Sequence, residues 1–470
     1  MAELPQLPRL PRLPRLPRVV VAAPATGQGK TTVATGLMAA LTAAGHVVSG
    51  HKVGPDYIDP GYHALACGRP GRNLDPHLVG EDLVAPLLLH GAATPVPADV
   101  AVVEGVMGLY DGRIGSDGFS STAHVAALTR TPVVLVVDIS RSSRSIGAVV
   151  HGMATWDPSV EVAGVILNQA GSARHADEVR SSIALPVLGV LPRDASIATP
   201  SRHLGLVTAA ERGESATVVA RLAEVVAEHV DLDAVLAIAR SAPDLDAVPW
   251  STDPAHLNAP GASTRRVQTR RVAVAAGRAF TFRYAETTEL LAAHGCEVAP
   301  FDPALDPALP AGTAGLYLGG GFPEVHAADL AANTALRRQI REAVLDGLPT
   351  VAECAGLLYL CRTLDGAPMA GVLDADAAMS ERLTLRYPAA TAPVDTLLTR
   401  AGEQVTGHEF HRTTVTPAVA GPPARTPAWT VDGEDVGFAS DTLHASYLHT
   451  HWAGHPRLAA RFAEAVHARG

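Results

Sequence analysis

Residues 19–32 read VVVAAPATGQGKTT, and this stretch decides the fold. Its first five residues are small or β-branched and uninterrupted, which suits a strand covered on both faces. They run into a turn with glycine at 27 and 29, then Lys30 and a helical stretch over Thr32–Ala44. Strand, glycine-rich turn, lysine, hydroxyl and helix is the setting in which backbone N–H groups curl around a phosphate and a helix N-terminus adds its positive end. Gly27, Gln28, Gly29, Lys30, Thr31 and Thr32 are therefore the expected nucleotide-phosphate cradle. Lys30 would reach the terminal phosphates of ATP, and the Thr31 hydroxyl would ligate Mg²⁺. Pro24 stands where the common pattern has its first glycine.

Outward from this cradle the text alternates apolar runs, at Val47–Gly50, Val100–Val103, Val133–Val137, Val162–Leu167 and Val187–Leu191, with helical stretches such as Ser121–Leu128. That grammar predicts a doubly wound parallel α/β domain, closed by a helix near Ala216–Ala239. Residues 241–264 are rich in Pro, Ser, Ala and Asp without periodicity and read as a linker. The α/β pattern restarts at Arg271–Ala275, with a helix over Phe282–His294 and a strand at Glu297–Pro300. Further strands are expected at Gly315–Leu318 and Pro349–Ala352, and a helix at Ala328–Leu345. The organisation expected is a disordered tail over residues 1–18, an ATP-binding domain over 19–240, a linker over 241–270 and a second α/β domain over 271–470. The tail, LPQLPRLPRLPRLPR from Leu4, carries proline at every third position and favours extended polyproline II.

Composition bounds the function. Across 470 residues, 37 Lys and Arg face 47 Asp and Glu, a formal charge of −10, which argues against a protein that coats nucleic acid. Hydrophobic residues at 47% and charged residues at 18% describe a globular chain. Four cysteines make no disulfide framework and fit a reducing cytoplasm. No apolar run approaches the ~18 residues of a membrane span.

Ligands of parallel α/β sheets bind beyond the carboxyl ends of the strands. KVGPDYIDP (52–60) and EGVMGLYDG (104–112) both lie at such ends, so both should face the cradle. Asp56 and Glu104 could ligate Mg²⁺ beside Thr31. Asp59 reads equally well as a turn residue. Asn168, at another strand end, could meet an adenine edge, as could the segment through Asp194.

In the second half, Pro349–Ala352 leads into Glu353-Cys354-Ala355-Gly356 and an apolar helix over Leu357–Arg362. A cysteine on a tight strand-to-helix turn has the form of a nucleophile elbow. The backbone of Gly320 and Gly321 in GGGFPE could form an oxyanion hole, and His449 in YLHTHW supplies an imidazole base. Cys67, Cys296 and Cys361 read as core residues. His444, His449, His451 and His455 could suggest zinc, but no carboxylate or cysteine accompanies them at ligand spacing.

Taken in order, PATGQGKTT, KVGPDYIDP, EGVMGLYDG, GGGFPE, AECAGLLYL and GHEFHRT with SYLHTHW resemble the cobyrinate and hydrogenobyrinate a,c-diamide synthases over about residues 19–455. The resemblance implies a dethiobiotin-synthetase-like ATP domain joined to a class I glutamine amidotransferase domain. The implied activity is amidation of the a and c acetate carboxylates of a corrin-ring precursor, hydrogenobyrinate or cobyrinate, during cobalamin synthesis. It further implies that Lys52, Asp56, Tyr57, Ile58, Glu104 and Asp111 lie in the metal and substrate region, that Cys354 attacks L-glutamine with His449 as base, and that a homodimer is plausible. Two residues after the histidine, where such amidotransferases usually place a glutamate, this chain has His451. The expected substrate is a polycarboxylate, so Lys52, Arg69, Arg72, Arg113, Arg141 and Arg144 are the positive patch anticipated for it. Rival readings are cobyrate synthase, another tetrapyrrole amidase, or an ATP-dependent switch with a non-catalytic second domain.

Overall fold

The apolar runs become strands for the reason their composition gives: each is buried on both faces. A computed structural model describes residues 15–193, 201–202, 205–206, 215–253, 269–419 and 426–469. The first sheet comprises β1 (Arg18–Ala22), β2 (Val48–Val53), β3 (Arg72–Leu74), β4 (Val100–Glu104), β5 (Val133–Asp138), β6 (Val162–Ala170) and β7 (Val187–Pro192). Its strands are parallel in the order β3-β2-β4-β1-β5-β6-β7. This order places the ends of β1, β2 and β4 side by side, so the glycine turn, KVGPDYIDP and EGVMGLYDG share one edge of the sheet. The first helix, α1 (Lys30–Ala43), follows the glycine turn, and α2 (Asp59–Cys67) follows β2.

After a two-residue pair, β8 (Ser201–Arg202) and β9 (Gly205–Leu206), a second sheet begins. Its core is β10 (Arg270–Ala275), β11 (Cys296–Phe301), β12 (Thr313–Leu318) and β13 (Thr350–Glu353), extended by Leu443–Ser446 and Phe438–Ala439. A largely antiparallel sheet built on the long strands Asp376–Arg386 and Gln404–Thr416 completes this half.

Several expected boundaries move. The fold starts before residue 19: Arg18 opens β1 fully buried, its guanidinium donating to Thr129, Arg130 and Pro243 carbonyls, and Leu16 is also buried. Residues 1–14 lie outside the described residues. The closing helix is two helices, Ser215–His229 and Leu232–Ser241, because Asp231 caps the second through Ala234 N–H. Asn333 likewise divides the expected helix 328–345 into Ala327–Ala332 and Thr334–Leu345. The helix expected from Phe282 begins only at Ala285, since Phe282 bridges Gly320 in both directions. The linker is not wholly loose, for Trp250 is buried and its N–H donates to Pro86 O; residues 254–268 are not described.

The two halves meet through buried charge. Arg72 on β3 sits between Glu286 (2.6 Å) and Glu289 (2.5 Å) of the second half, and His90 lies 2.8 Å from Glu289. Tyr387 donates to Asp75, and Tyr57 stacks on Phe282 with ring centroids 5.1 Å apart. Among the described residues no helix is long and apolar enough to cross a membrane.

Candidate functional site

At the glycine turn, Gly27 (φ 82°) and Gly29 (φ 89°) both take the left-handed conformation that side chains resist. A Cβ on Gly29 would also strike Asn168 Nδ2 at 2.2 Å. Gln28 Oε1 accepts from Asp138 N–H (2.8 Å), and Asn168 Nδ2 donates to Gln28 O (2.9 Å). Asn168 Oδ1 accepts from Gln169 N–H, and the side chain is buried. Asn168 therefore braces the glycine turn. The ends of β5 and β6 thus hold the loop through Gln28. Asp194 lies outside the described residues.

Lys30 folds over the turn, donating to Ala25 O and Met107 O. Burial, with Lys52 nearby, pushes its ammonium down to about 8. Met107 holds a positive φ of 49° at the end of β4, so the strained loop turns its carbonyl towards Lys30. Asp111 shapes the same loop by accepting from Gly108 N–H (2.8 Å), and a Cβ on Gly108 would strike both Asp111 and Pro24 O. Thr32 lies in the first turn of α1.

Beside Thr31 is a dense charge cluster. Its hydroxyl donates to Glu104 (2.5 Å) and lies 3.3 Å from Asp59 Oδ2. Lys52 bridges Asp59 (2.7 Å) and Glu104 (2.9 Å), and His63 Nε2 lies 2.6 Å from the other Glu104 oxygen. Against the opposing effect of burial, Lys52 and His63 hold the Glu104 carboxylate well below the usual range. Asp59 shifts the other way: burial first, then Asp56 and Glu104, push its carboxyl up against the pull of Lys52. Asp56 instead caps the turn, its Oδ1 accepting from Ile58 and Asp59 N–H.

Three expectations change here. Asp59 and Glu104 converge on Thr31, and Asp56 serves as their turn residue. Lys52 and Ile58, expected at the substrate, are inside the fold, one neutralising carboxylates and the other in the apolar core. Arg69 and Arg72 leave the positive patch as well. Arg69 is engaged by the carbonyls of Gly91, Thr94 and Val96, and Arg72 by the glutamates at the domain contact. Of the anticipated patch, Arg113, Arg141 and Arg144 remain exposed. His63 was not foreseen, although it follows Asp59 at the i,i+4 spacing that puts both on one face of α2.

In the second half, Cys354 sits between β13 and the helix Ala355–Leu360 with φ 49° and ψ −100°. A non-glycine residue held there is strained, and such strain at a strand-to-helix turn presents a nucleophile. A Cβ on Gly356 would fall 2.2 Å from Leu318 O, so only glycine lets the helix pack this close. Burial, reinforced by Glu324, pushes the thiol well up. The thiol is therefore protonated at rest and needs a base. Burial of His449 pushes its imidazole down to about 3, leaving it neutral and able to accept a proton. No hydrogen bond joins Cys354 to His449 among the described residues; catalytic contacts commonly tighten only when substrate is seated.

The oxyanion expectation is half corrected. Gly320 N–H already donates to Phe282 O, and a Cβ on Gly320 would meet His449 Cε1 at 2.4 Å. Gly320 thus makes room for the imidazole, and Gly321 N–H is the remaining donor of the pair. Among the described residues no three His, Cys, Asp or Glu side chains form a metal cage. His451 instead faces Glu286 at 3.6 Å, and His455 contacts Thr406. Cys296 and Cys361 are buried and Cys67 is half-buried, each thiol pushed up by burial.

With this geometry in hand, the chain can be placed among known proteins. A family model described as the CobQ/CobB/MinD/ParA nucleotide binding domain matches residues 19–207, and the CobB/CobQ-like glutamine amidotransferase domain matches residues 271–457. A relative named hydrogenobyrinate a,c-diamide synthase from Thermobifida fusca is 62% identical over 95% of this chain and 96% of its own length. One of the same name from Streptomyces coelicolor is 55% identical over 95% and 96%. A protein named cobyrinate a,c-diamide synthase from Dehalococcoides mccartyi is 39% identical over 94% and 97%.

Proposed function

The chain belongs to the family of a,c-diamide synthases, and from that premise we propose how its two sites divide one reaction. It is a glutamine-hydrolysing ligase that uses ATP in cobalamin synthesis. Our reading of the substrate is hydrogenobyrinate, because the relatives bearing that name are 53–62% identical and those named for cobyrinate 39–40%. Residues 19–240 would bind ATP and the corrin carboxylate, and residues 271–470 would release ammonia.

A carboxylate resists ammonia because hydroxide leaves badly. Transfer of the terminal phosphoryl of ATP to the a or c carboxylate gives an acyl phosphate with a better leaving group. The turn from Gly27 to Thr32 would hold the phosphates by backbone N–H groups, and Lys30 would move from the Ala25 and Met107 carbonyls to the phosphate. Thr31, Asp59 and Glu104 suit Mg²⁺: they are hard oxygen donors converging on one point. When bound, that ion would neutralise charge on the transferred phosphoryl group. Asp111 borders the same end of the sheet, where the corrin carboxylate would sit, whereas Tyr57 packs against Phe282, Tyr284 and His449 of the second half.

In the second half, Cys354 Sγ would attack the glutamine amide carbon as its proton passes to His449. The C–N bond then breaks, the proton leaves with ammonia, and water hydrolyses the thioester to glutamate. The observation that carries this reading is the strained Cys354 at the end of β13. A homodimer and a cytoplasmic location are part of the same proposal by family likeness.

The test offers hydrogenobyrinate and cobyrinate separately with ATP, Mg²⁺ and glutamine, and counts added amides by mass spectrometry. Two amides on hydrogenobyrinate are expected, and no amidation of either substrate would reject the reading. In parallel, Cys354→Ser should abolish glutamine-dependent amidation and leave ammonia-dependent amidation in place.

A further inference from the structure

We propose that Glu353, the residue immediately before the nucleophile, is the positioning carboxylate of His449. The second residue after the histidine cannot serve, since His451 turns to Glu286 at the domain contact. Glu353 ends β13 opposite Ser446 and is buried. Its Oε1 accepts from the Thr450 N–H (3.3 Å) and hydroxyl (3.0 Å), which fixes the backbone next to His449. Trp452 Nε1 holds the same hydroxyl from the far side. Glu353 Oε2 accepts from the Tyr317 hydroxyl (2.8 Å) and lies 4.0 Å from His449 Nδ1. One carboxylate therefore grips the chain beside the imidazole and also faces its ring nitrogen.

The other groups around His449 do not compete for this role. Tyr57 OH lies 3.4 Å from Nδ1, but a phenol pushed up by burial carries no charge to balance an imidazolium. The His408 ring stacks on His449 at 4.8 Å and is itself held neutral by burial. His411 and Glu409 act on His449 only through their charge, and Glu409 is engaged by Arg386 at 2.8 Å. A proton carried on Nδ1 would face Glu353 and leave Nε2 unprotonated to take the Cys354 proton, and the imidazolium formed would have a carboxylate 4.0 Å away.

This inference rests on Cys354 being the nucleophile, so Cys354→Ser is run as a control. Glu353→Gln should lower glutamine-dependent kcat by about 10²–10⁴-fold, with glutamine KM and ammonia-dependent amidation little changed. Glu353→Asp should recover part of the loss. The unaltered protein gives a second readout. Burial raises Glu353 to about 7, whereas His449 lies near 3, so glutaminase kcat/KM should fall on acidification with a midpoint near pH 7. Ammonia-dependent amidation, corrected for free ammonia, should lack that limb. Glutamine use by Glu353→Gln within about threefold of the parent, or a glutaminase profile flat from pH 8 to 5, would overturn the assignment. If Glu353→Gln does not fold, the pH profile decides. If Cys354→Ser retains glutamine use, the nucleophile reading itself fails, a result distinct from failure of Glu353 alone.

Discussion

At the residue scale, single atoms decide what a motif can do. Gly320 sits in a glycine-rich loop whose sequence suggests an oxyanion donor, yet its N–H is paired and its missing side chain is what matters. Gly320→Ala would place a Cβ 2.4 Å from His449 Cε1 and displace the imidazole. Because a misplacement of about 1 Å can cost on the order of 10²-fold in rate, glutamine-dependent kcat should fall by roughly that factor. Steady-state kinetics with glutamine and with ammonia check this, since only the first should suffer. Asn168 follows the same logic. Its amide braces the loop through Gln28 O and packs so close to Gly29 that no side chain fits there.

Among the elements, the turn joining β2 to α2 is the most informative. Asp56 caps it, Asp59 opens α2, His63 follows one turn later, and Lys52 reaches back from β2 to Asp59 and Glu104. Lys52 holds the cluster together, and Asp59 and Glu104 hold its ammonium well above its usual value despite burial. Lys52→Met would leave two buried carboxylates without their cation, a loss of about 3–5 kcal/mol for a broken buried pair. Urea denaturation should show that loss, and ATP should recover less of it than in the parent, because Thr31 shares the same carboxylates. The motif KVGPDYIDP is legible in sequence. Its division of labour is not, because the roles of Asp56 and Asp59 depend on which oxygen faces the turn and which faces Thr31.

For the whole molecule, the domain contact and the pH response go together. Burial pushes His444 and His449 down to about 3 and His451 to about 4. In the unfolded chain these residues take protons near their ordinary value of about 6.5, so acidification favours unfolding through each of them. Glu353, raised to about 7, works in the opposite sense, because the folded state binds its proton first. His51 and His408, also pushed well down by burial, act in the same sense as the three histidines, and the raised Asp59 acts with Glu353, so histidines predominate below about pH 6.5. Each net proton contributes about 1.4 kcal/mol per pH unit, so stability should fall progressively as the pH drops from about 6.5 to about 4.5. Denaturant midpoints at pH 7.5, 6 and 5 measure the slope, and a flat response would contradict the buried neutral histidines. The charge of −10 also takes on meaning at this scale. Much of the cationic charge expected to attract a polycarboxylate is used internally, Arg72 to join the halves and Lys52 to neutralise Asp59 and Glu104, which leaves Arg113, Arg141 and Arg144 on the surface.

The sequence by itself determined the two α/β halves, the phosphate turn and the cysteine elbow. Each is written in local periodicity or in residues next to one another, where backbone geometry follows from side-chain type. Only the tertiary structure decided that Glu353 faces His449, that Asp59 stands beside Thr31, and that Arg72 closes against Glu286 and Glu289. Glu353 and His449 are 96 residues apart in the chain and meet because β13 pairs with Leu443–Ser446. A carboxylate's role depends on the partner that burial brings to it, and strand order, which no local pattern encodes, selects that partner.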